Sequence, residues 1–511
     1  MITLSGKRLK DIDRNSELYA LLTRAHQGLV EKNAATWGAQ AAQEAAIRLN
    51  WVDFPETSRD LLPVLDALSA KFRNLSQVIL CGMGGSSLGP QVIAQTFGRE
   101  LFVLDSTDPQ YISNALSGNL NETLVIISSK SGSTIETASF KTLFESQFSS
   151  AGLAPQDHMV IVTDPDSPLD KKVRADKYTV VNADPHVGGR FSVLGAFGLT
   201  PAALIGIDTS ILIDSASETK EQILRQPSLV LDCAYEIITE SKQYLSFTDA
   251  GAAMPGLSDW IEQLVAESTG KESVGRLPVV IEGPNSFVDG EALAISFAGE
   301  SDLVVSGDLG SQFIYWEWVT ALVGAGLAID PFNQPNVQEA KEQTGALLTQ
   351  WGGSIPKEVP SLTSSALEFF GGTGTPIEII REFMSGLKNN GYIGIMAYLD
   401  RLNDSAIAAS REILAQRVHR PVTFGWGPRF LHSTGQFHKG GQPNGIFLQV
   451  TGAIDKDIEI PEQSFTFNTL ITAQALGDGN ALLTRGLPVL RIHLRDRTEG
   501  ISELLELLKQ I

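Results

Sequence analysis

Only two cysteines, Cys81 and Cys233, occur in 511 residues. So few exclude a disulfide framework and a cysteine-built zinc site, and make a reducing cytoplasm the expected compartment. Positive charge is also scarce. Lys and Arg number 39 against 59 Asp and Glu, for a formal net charge of −20 and a sequence pI near 4.8. Nucleic acids and anionic membranes require a basic face, so neither is expected as a partner, and an anionic substrate must be drawn in by local cations. No apolar run approaches the roughly 18 residues that a membrane helix needs. A signal peptide is not expected, because Lys7, Arg8, Lys10, Asp11, Asp13 and Arg14 leave the first stretch without an apolar core.

What is present is a composition 43% hydrophobic, in a chain long enough for about two to four domains. Residues 17–49 carry helical spacing through Leu18, Leu21, Leu22, Ala25, Leu29 and Val30, which predicts an N-terminal helical cap. From about Leu61 short apolar runs at 78–81, 101–104, 124–127, 159–162 and 178–181 alternate with helical stretches. That alternation predicts an α/β protein whose parallel sheet is covered on both faces. A second sheet is expected to begin after residue 271 with the runs 278–281, 293–297 and 303–306. The apolar helix at 312–325 would place Trp316 and Trp318 in the core or an interface. Beyond residue 365, runs at 392–397, 422–424, 446–450 and 489–493 alternate with helices and predict a further α/β unit.

Ligands of parallel sheets bind at the carboxyl ends of the strands, and two of those ends carry unusual text. After 124–127 comes Ser128-Ser129-Lys130-Ser131-Gly132-Ser133-Thr134, then a helix opening at Ile135. A capping role accounts for one or two of these hydroxyls. Five hydroxyl residues and a lysine at a helix N-terminus, where free amides and the dipole favour negative charge, point instead to an anion cradle. After 78–81 comes GMGGSSLGP (82–90), where glycines let the backbone approach a ligand and Ser86 and Ser87 add hydroxyls. Its G-x-G-G spacing differs from the dinucleotide fingerprint. Asp105 nevertheless follows the next strand at a distance that suits a ribose, so this loop taken alone is also compatible with a nucleotide.

Together, GMGGSSLGP and SKSGSTIET (129–137) resemble the sugar isomerase (SIS) domain, and within it the glucose-6-phosphate isomerase family. Further matches follow in the family's order: Gly188-Gly189-Arg190-Phe191-Ser192, Glu267-Ser268-Thr269-Gly270-Lys271, and Pro331-Phe332-Asn333-Gln334-Pro335 with Lys341. The text 424–441, FGWGPRFLHSTGQFHKGG, is similar to the isomerase half of bacterial transaldolase-isomerase fusions. The resemblance implies two doubly wound parallel-sheet SIS-type domains, with an N-terminal helical segment and a C-terminal α/β unit. The corresponding divisions are 1–60, 61–250 for the first SIS domain, 251–360 for the second, and 365–511.

An aldose-ketose isomerase needs a base that carries a proton between C2 and C1, donors or a cation for the enediolate, and acid-base groups that open the ring. The resemblance makes Glu267 the base, and apolar Leu264, Val265 and Ala266 before it would hold it away from water. It gives Arg190 the enediolate-stabilising role, and makes Gln334 and Lys341 the family's glutamine and its lysine near the ring oxygen. Gln263 lies one helical turn before Glu267 and can point into the same site. Gly85, Ser86, Ser129, Lys130, Ser131 and Thr134 are the expected phosphate site. The family's histidine motif is missing from its usual place after the glutamate. His432 in the glycine-bounded 432–441 loop is the first choice for ring opening, and His438, beside Lys439, the second.

The implied activity is interconversion of glucose 6-phosphate and fructose 6-phosphate by a cytoplasmic, cofactor-free and metal-free homodimer. Mannose 6-phosphate or a 6-sulfonated sugar remains open as substrate, since the cradle recognises a small anion. A non-catalytic sugar-phosphate sensor is the alternative from another class, against which Glu267 stands, because a sensor needs no base.

Overall fold

A computed structural model of the protein describes residues 1–239, 243–283, 286–287 and 292–511, and at Val337 the backbone alone. Strand β1 (Thr3–Ser5) is followed by helix Glu17–Val30, which turns Leu22, Ala25 and Leu29 inward. The helical spacing suggested a longer element, but Lys32 adopts φ +50° and Asn33 caps a new turn, so residues 34–61 wind as separate short turns.

The five expected runs become β2 (Gln77–Gly82), β3 (Phe102–Leu104), β4 (Thr123–Ser128), β5 (Met159–Thr163) and β6 (Thr179–Asn182). All are parallel, in the order β3-β2-β4-β5-β6. Because side chains alternate across a strand, Ile79, Cys81, Val125 and Ile127 enter one core, and Val78, Leu80, Leu124 and Ile126 enter the other. Near-continuous apolar runs are what burial on both faces demands. The odd-numbered face is covered by helix Ile135–Ser150 through Phe140, Phe144 and Phe148, and by Phe467, Leu470 and Ala473 from much later in the chain.

The second sheet comprises β7 (Tyr244–Thr248), β8 (Leu277–Val280), β9 (Leu293–Ser296) and β10 (Leu303–Ser306), in the order β1-β10-β9-β7-β8. It therefore begins one strand before the Glu267 segment, where the sequence pattern had started it at 278. Ser246 and Thr248 dilute the apolar run of β7, yet the strand is buried throughout because β8 and β9 flank it. Strand β1 runs antiparallel along β10, with Thr3 opposite Ser306. Helix Leu309–Gly326 is buried from Leu309 to Ala325, and Trp316 and Trp318 have no exposed surface.

The C-terminal sheet has β11 (Leu362–Thr363), β12 (Leu367–Phe370), β13 (Tyr392–Tyr398), β14 (Val422–Trp426), β15 (Gly445–Gly452) and β16 (Val489–Leu494), ordered β11-β12-β16-β15-β13-β14. The four longer strands are those expected; β11 and β12 form an antiparallel edge. Helix Phe467–Thr484 lies against helix Pro335–Trp351, and the approach depends on Gly477. A Cβ there would sit 2.9 Å from Thr344 Oγ1 and 3.0 Å from Thr344 N. Among the described residues no helix is long and apolar enough to cross a membrane.

Candidate active site

Glycines bring the motif segments into backbone contact. Gly84 has φ +56°, and a Cβ on it would fall 2.8 Å from both Gln263 Nε2 and the His432 carbonyl oxygen. A Cβ on Gly85 would fall 2.0 Å from Gly189 O. The first loop thus touches the Gly188–Arg190 turn, helix Leu257–Thr269 and the turn at His432, contacts that a side chain would obstruct.

Glu267 and Gln263 occupy one face of helix Leu257–Thr269, as their spacing of four requires. Gln263 Nε2 donates to Glu267 Oε2 at 3.1 Å and to His432 O at 2.9 Å. Glu267 is buried, and its Oε1 lies 3.2 Å from Arg190 Nη1. Arg190 is itself enclosed. Nε donates to Ser268 Oγ at 2.7 Å, Nη1 to Gln334 Oε1 at 2.6 Å, and Nη2 to Pro331 O at 2.5 Å and Asn333 O at 3.0 Å. With the Glu267 contact, every guanidinium N–H faces a partner. Burial lowers the Arg190 pKa against the raising influence of Glu267 and Asp330. Lys271 is buried beside it, donating to Asn333 O at 2.6 Å and to Asp330 O. Burial, joined by the neighbouring Arg190 charge, pushes the Lys271 amine well below its ordinary pKa. Lys271 and Arg190 together pin the 330–334 turn that presents Gln334.

A cavity of about 180 Å³ opens next to this cluster, lined by Ser133, Thr134, Glu136, Lys341, His432 and Gln474. Thr134 precedes helix Ile135–Ser150 without spending its hydroxyl on the cap, so hydroxyl and helix-end amides share one mouth. Glu136, in the first turn, is buried, and its Oε1 lies 3.0 Å from His432 Nε2. Burial alone would raise the Glu136 pKa, but the charge and hydrogen bond of His432 bring the carboxylate below its ordinary value. Lys341, exposed on helix Pro335–Trp351, adds to that effect from across the cavity.

The structure therefore brings Glu267, Arg190, Gln263, Gln334, Gly85 and His432 into one cluster, with Thr134 and Lys341 on the adjoining cavity. Other expected members turn elsewhere. Lys130 Nζ lies 2.5 Å from Asp164 Oδ2 and 3.0 Å from Pro185 O. Ser129 Oγ accepts from Gly132 N at 3.1 Å and lines a separate cavity with Lys141 and Leu169. Ser131 Oγ is 2.7 Å from Ser133 Oγ. Ser86 is buried in the first loop, its amide donating to Met83 O. His438, the second choice for ring opening, belongs to the core. Tyr392, Phe430 and Phe447 surround its ring, Nδ1 lies 2.9 Å from Tyr392 Oη, and burial together with Lys439 lowers its pKa to about 3. Lys439 pairs with buried Asp478 at 2.5 Å and is structural.

Glu136, Lys271 and Gln474 were not singled out by sequence. Glu136 and Lys271 stand inside motif segments as charged residues, which is a readable signal; Gln474, in a largely buried helix without a polar face, carries none.

Comparisons with known proteins bear on part of this region, the first two glycine and hydroxyl loops and the Arg190 turn. Residues 66–228 match the family model of phosphoglucose isomerase. A probable glucose-6-phosphate isomerase of Haloquadratum walsbyi is 30% identical over 238 residues, which are 45% of this chain and 55% of that protein. The glucose-6-phosphate isomerase of Campylobacter jejuni is 31% identical over 225 residues, 41% of this chain and 55% of that protein. The chain thus spans about half the length of these curated relatives. The crystal structure of a glucose-6-phosphate isomerase from Chlamydia trachomatis superposes with a TM-score of 0.54 at 18% identity, covering 68% of this chain and 88% of that one, a likeness of fold.

Proposed function

We propose that this chain is an aldose-ketose isomerase of the phosphoglucose isomerase family, acting on glucose 6-phosphate and fructose 6-phosphate, a reading supported by the match of residues 66–228 to that family's model. The observation that carries the reading is Glu267. It is a buried carboxylate gripped at Oε2 by Gln263 and at Oε1 by Arg190, so its position is set before a substrate arrives.

Ring opening comes first. As the C1–O5 bond breaks, a proton leaves the O1 hydroxyl and one arrives at O5; His432, held by Glu136, and Lys341 across the cavity serve that exchange. Glu267 then takes the C2 proton, leaving an enediolate whose charge develops beside the Arg190 guanidinium. One proton passes between O2 and O1, and Glu267 returns its own to C1. The balance is a shift of hydrogen within one molecule, with no external oxidant or reductant. Arg190 acts here chiefly through its fixed positive field, since its N–H groups are engaged; exposed Gln334 is the partner best able to yield one. The phosphate is held at the N-terminus of helix Ile135–Ser150 by Thr134, Ser133 and Lys341.

The test is a coupled assay of the purified protein with glucose 6-phosphate, mannose 6-phosphate and a 6-sulfonated glucose, run in D2O with deuterium at C2 followed by NMR. Turnover of glucose 6-phosphate with exchange at C2 is expected. Binding of all three without exchange would overturn the proposal in favour of a sensor.

A further inference from the structure

The geometry points to Gln474 as a positioning residue: its side-chain amide locks Glu136 as an acceptor so that His432 presents one defined tautomer to the sugar ring. This inference rests on the isomerase reading above and adds to it a residue from helix Phe467–Thr484, outside every motif segment.

Three hydrogen bonds form a chain. Thr107 Oγ1 donates to Gln474 Oε1 at 2.6 Å, Gln474 Nε2 donates to Glu136 Oε1 at 2.7 Å, and His432 Nε2 lies 3.0 Å from the same Glu136 oxygen. All but His432 are buried: Thr107 has no exposed surface, Gln474 2% and Glu136 4%. The order of donors is dictated. The Glu136 carboxylate, held ionised by His432 and Lys341, only accepts, so the Gln474 amide turns Nε2 toward it and Oε1 toward Thr107, whose hydroxyl then donates. An oxygen accepting from an amide N–H cannot also be the protonated oxygen of a carboxylic acid. Glu136 Oε1 is therefore an acceptor for His432 as well, which puts the imidazole proton on Nε2 and leaves Nδ1 with the lone pair.

Without Gln474, Oε1 of the buried carboxylate would lose one of its two donors, and Glu136 would be free to turn away from His432 Nε2, leaving the tautomer unspecified. Gln474 also lines the cavity that His432 and Lys341 share, so the relay ends at the proposed place of ring opening. The close approach at Gly477 sets the distance, because it seats helix Phe467–Thr484 against the helix that carries Lys341.

Two substitutions separate this role from mere packing. Gln474→Leu keeps bulk and removes the donor; turnover of cyclic glucose 6-phosphate should fall about ten- to hundred-fold, the usual worth of one charge-assisted bond, while C2 exchange on an open-chain analogue stays within two-fold. Gln474→Glu can replace the amide donor only while its own carboxyl is protonated. Its activity on cyclic substrate should therefore approach the parent's at acid pH and fall as pH rises, where the parent keeps its activity. Independently of turnover, imidazole 15N shifts of His432 should report the Nε2–H tautomer in the parent and its loss in Gln474→Leu. A parent with no isomerase activity would sink the underlying reading. An active parent whose Gln474→Glu pH profile and His432 15N pattern match its own would overturn the inference.

Discussion

His432 and Glu136 stand 296 positions apart in sequence and 3.0 Å apart in space. The contact joins the turn after β14 to the first turn of the helix after β4, and so makes the C-terminal sheet part of the same site as the first.

If His432 serves ring opening, His432→Ala should turn over cyclic sugar phosphate slowly while exchanging the C2 proton of an open-chain analogue at near the parental rate. Stopped-flow assays with the two substrates make the comparison. His438→Ala should not show that split, since its ring lies in the aromatic core; a split seen only there would reverse the assignment.

Glu267→Gln preserves shape and the contact with Gln263 but cannot accept the C2 proton. A drop in kcat of about 10²–10⁴-fold is expected, with ligand affinity retained because the anion pocket lies on another loop. Calorimetric titration alongside deuterium exchange reads both quantities. Activity within a few-fold of the parent would move the base elsewhere.

For the anion, the expectation differs among residues that the sequence grouped together. Thr134→Ala should raise KM with a smaller change in kcat, as expected when binding common to ground and transition state is lost, whereas Lys341→Ala should raise KM and also lower kcat on the cyclic substrate, because Lys341 serves ring opening as well. Lys130→Ala should affect KM less, because its ammonium is spent on Asp164 and Pro185. Equal effects at Lys130 and Lys341 would place the phosphate between them.

His438 gives a stability signature. Its folded pKa, about 3 through burial and Lys439, lies below the unfolded value near 6.5. The unfolded state thus binds a proton that the folded state refuses. Its stability contribution is complete above about pH 6.5 and is lost as pH falls toward 3, at roughly 1.4 kcal/mol per pH unit. Urea midpoints of the parent and His438→Phe, compared at pH 7 and pH 5, should show a shallower acid loss in the variant; parallel losses would mean that His438 is accessible to protons when folded.

Much of the sheet architecture was legible because strands buried on both faces need unbroken apolar runs, as in 124–127 and 159–162. Strand β7 escaped because Ser246 and Thr248 interrupt that signature, β12 because only its alternate residues Leu367 and Phe369 are buried, and β11 because it is two residues long. In the site, Gln263 and Glu267 declared their shared face by helical spacing. The Lys130–Asp164 pair has an origin that no local reading exposes. Parallel pairing sets Ser128 beside Val162, which carries the two following turns alongside one another and delivers Asp164 to the lysine. Glu136, Gln474 and Thr107 form a set only after helix Phe467–Thr484 has docked on the first sheet, and pairings across such separations leave no trace in spacing.

Docking of that helix also has a cost in time. Phe467, Leu470 and Ala473 seal the odd-numbered face of a sheet whose strands end by Asn182. At about 5–20 residues per second of synthesis, the stretch from Asn182 to Ala473 takes roughly 15–60 s to emerge. Throughout that interval the nascent chain carries a finished sheet with Ile79, Val125 and Ile127 under only part of their roof. Until the last helix arrives, such a half-covered surface is open to non-native apolar contacts.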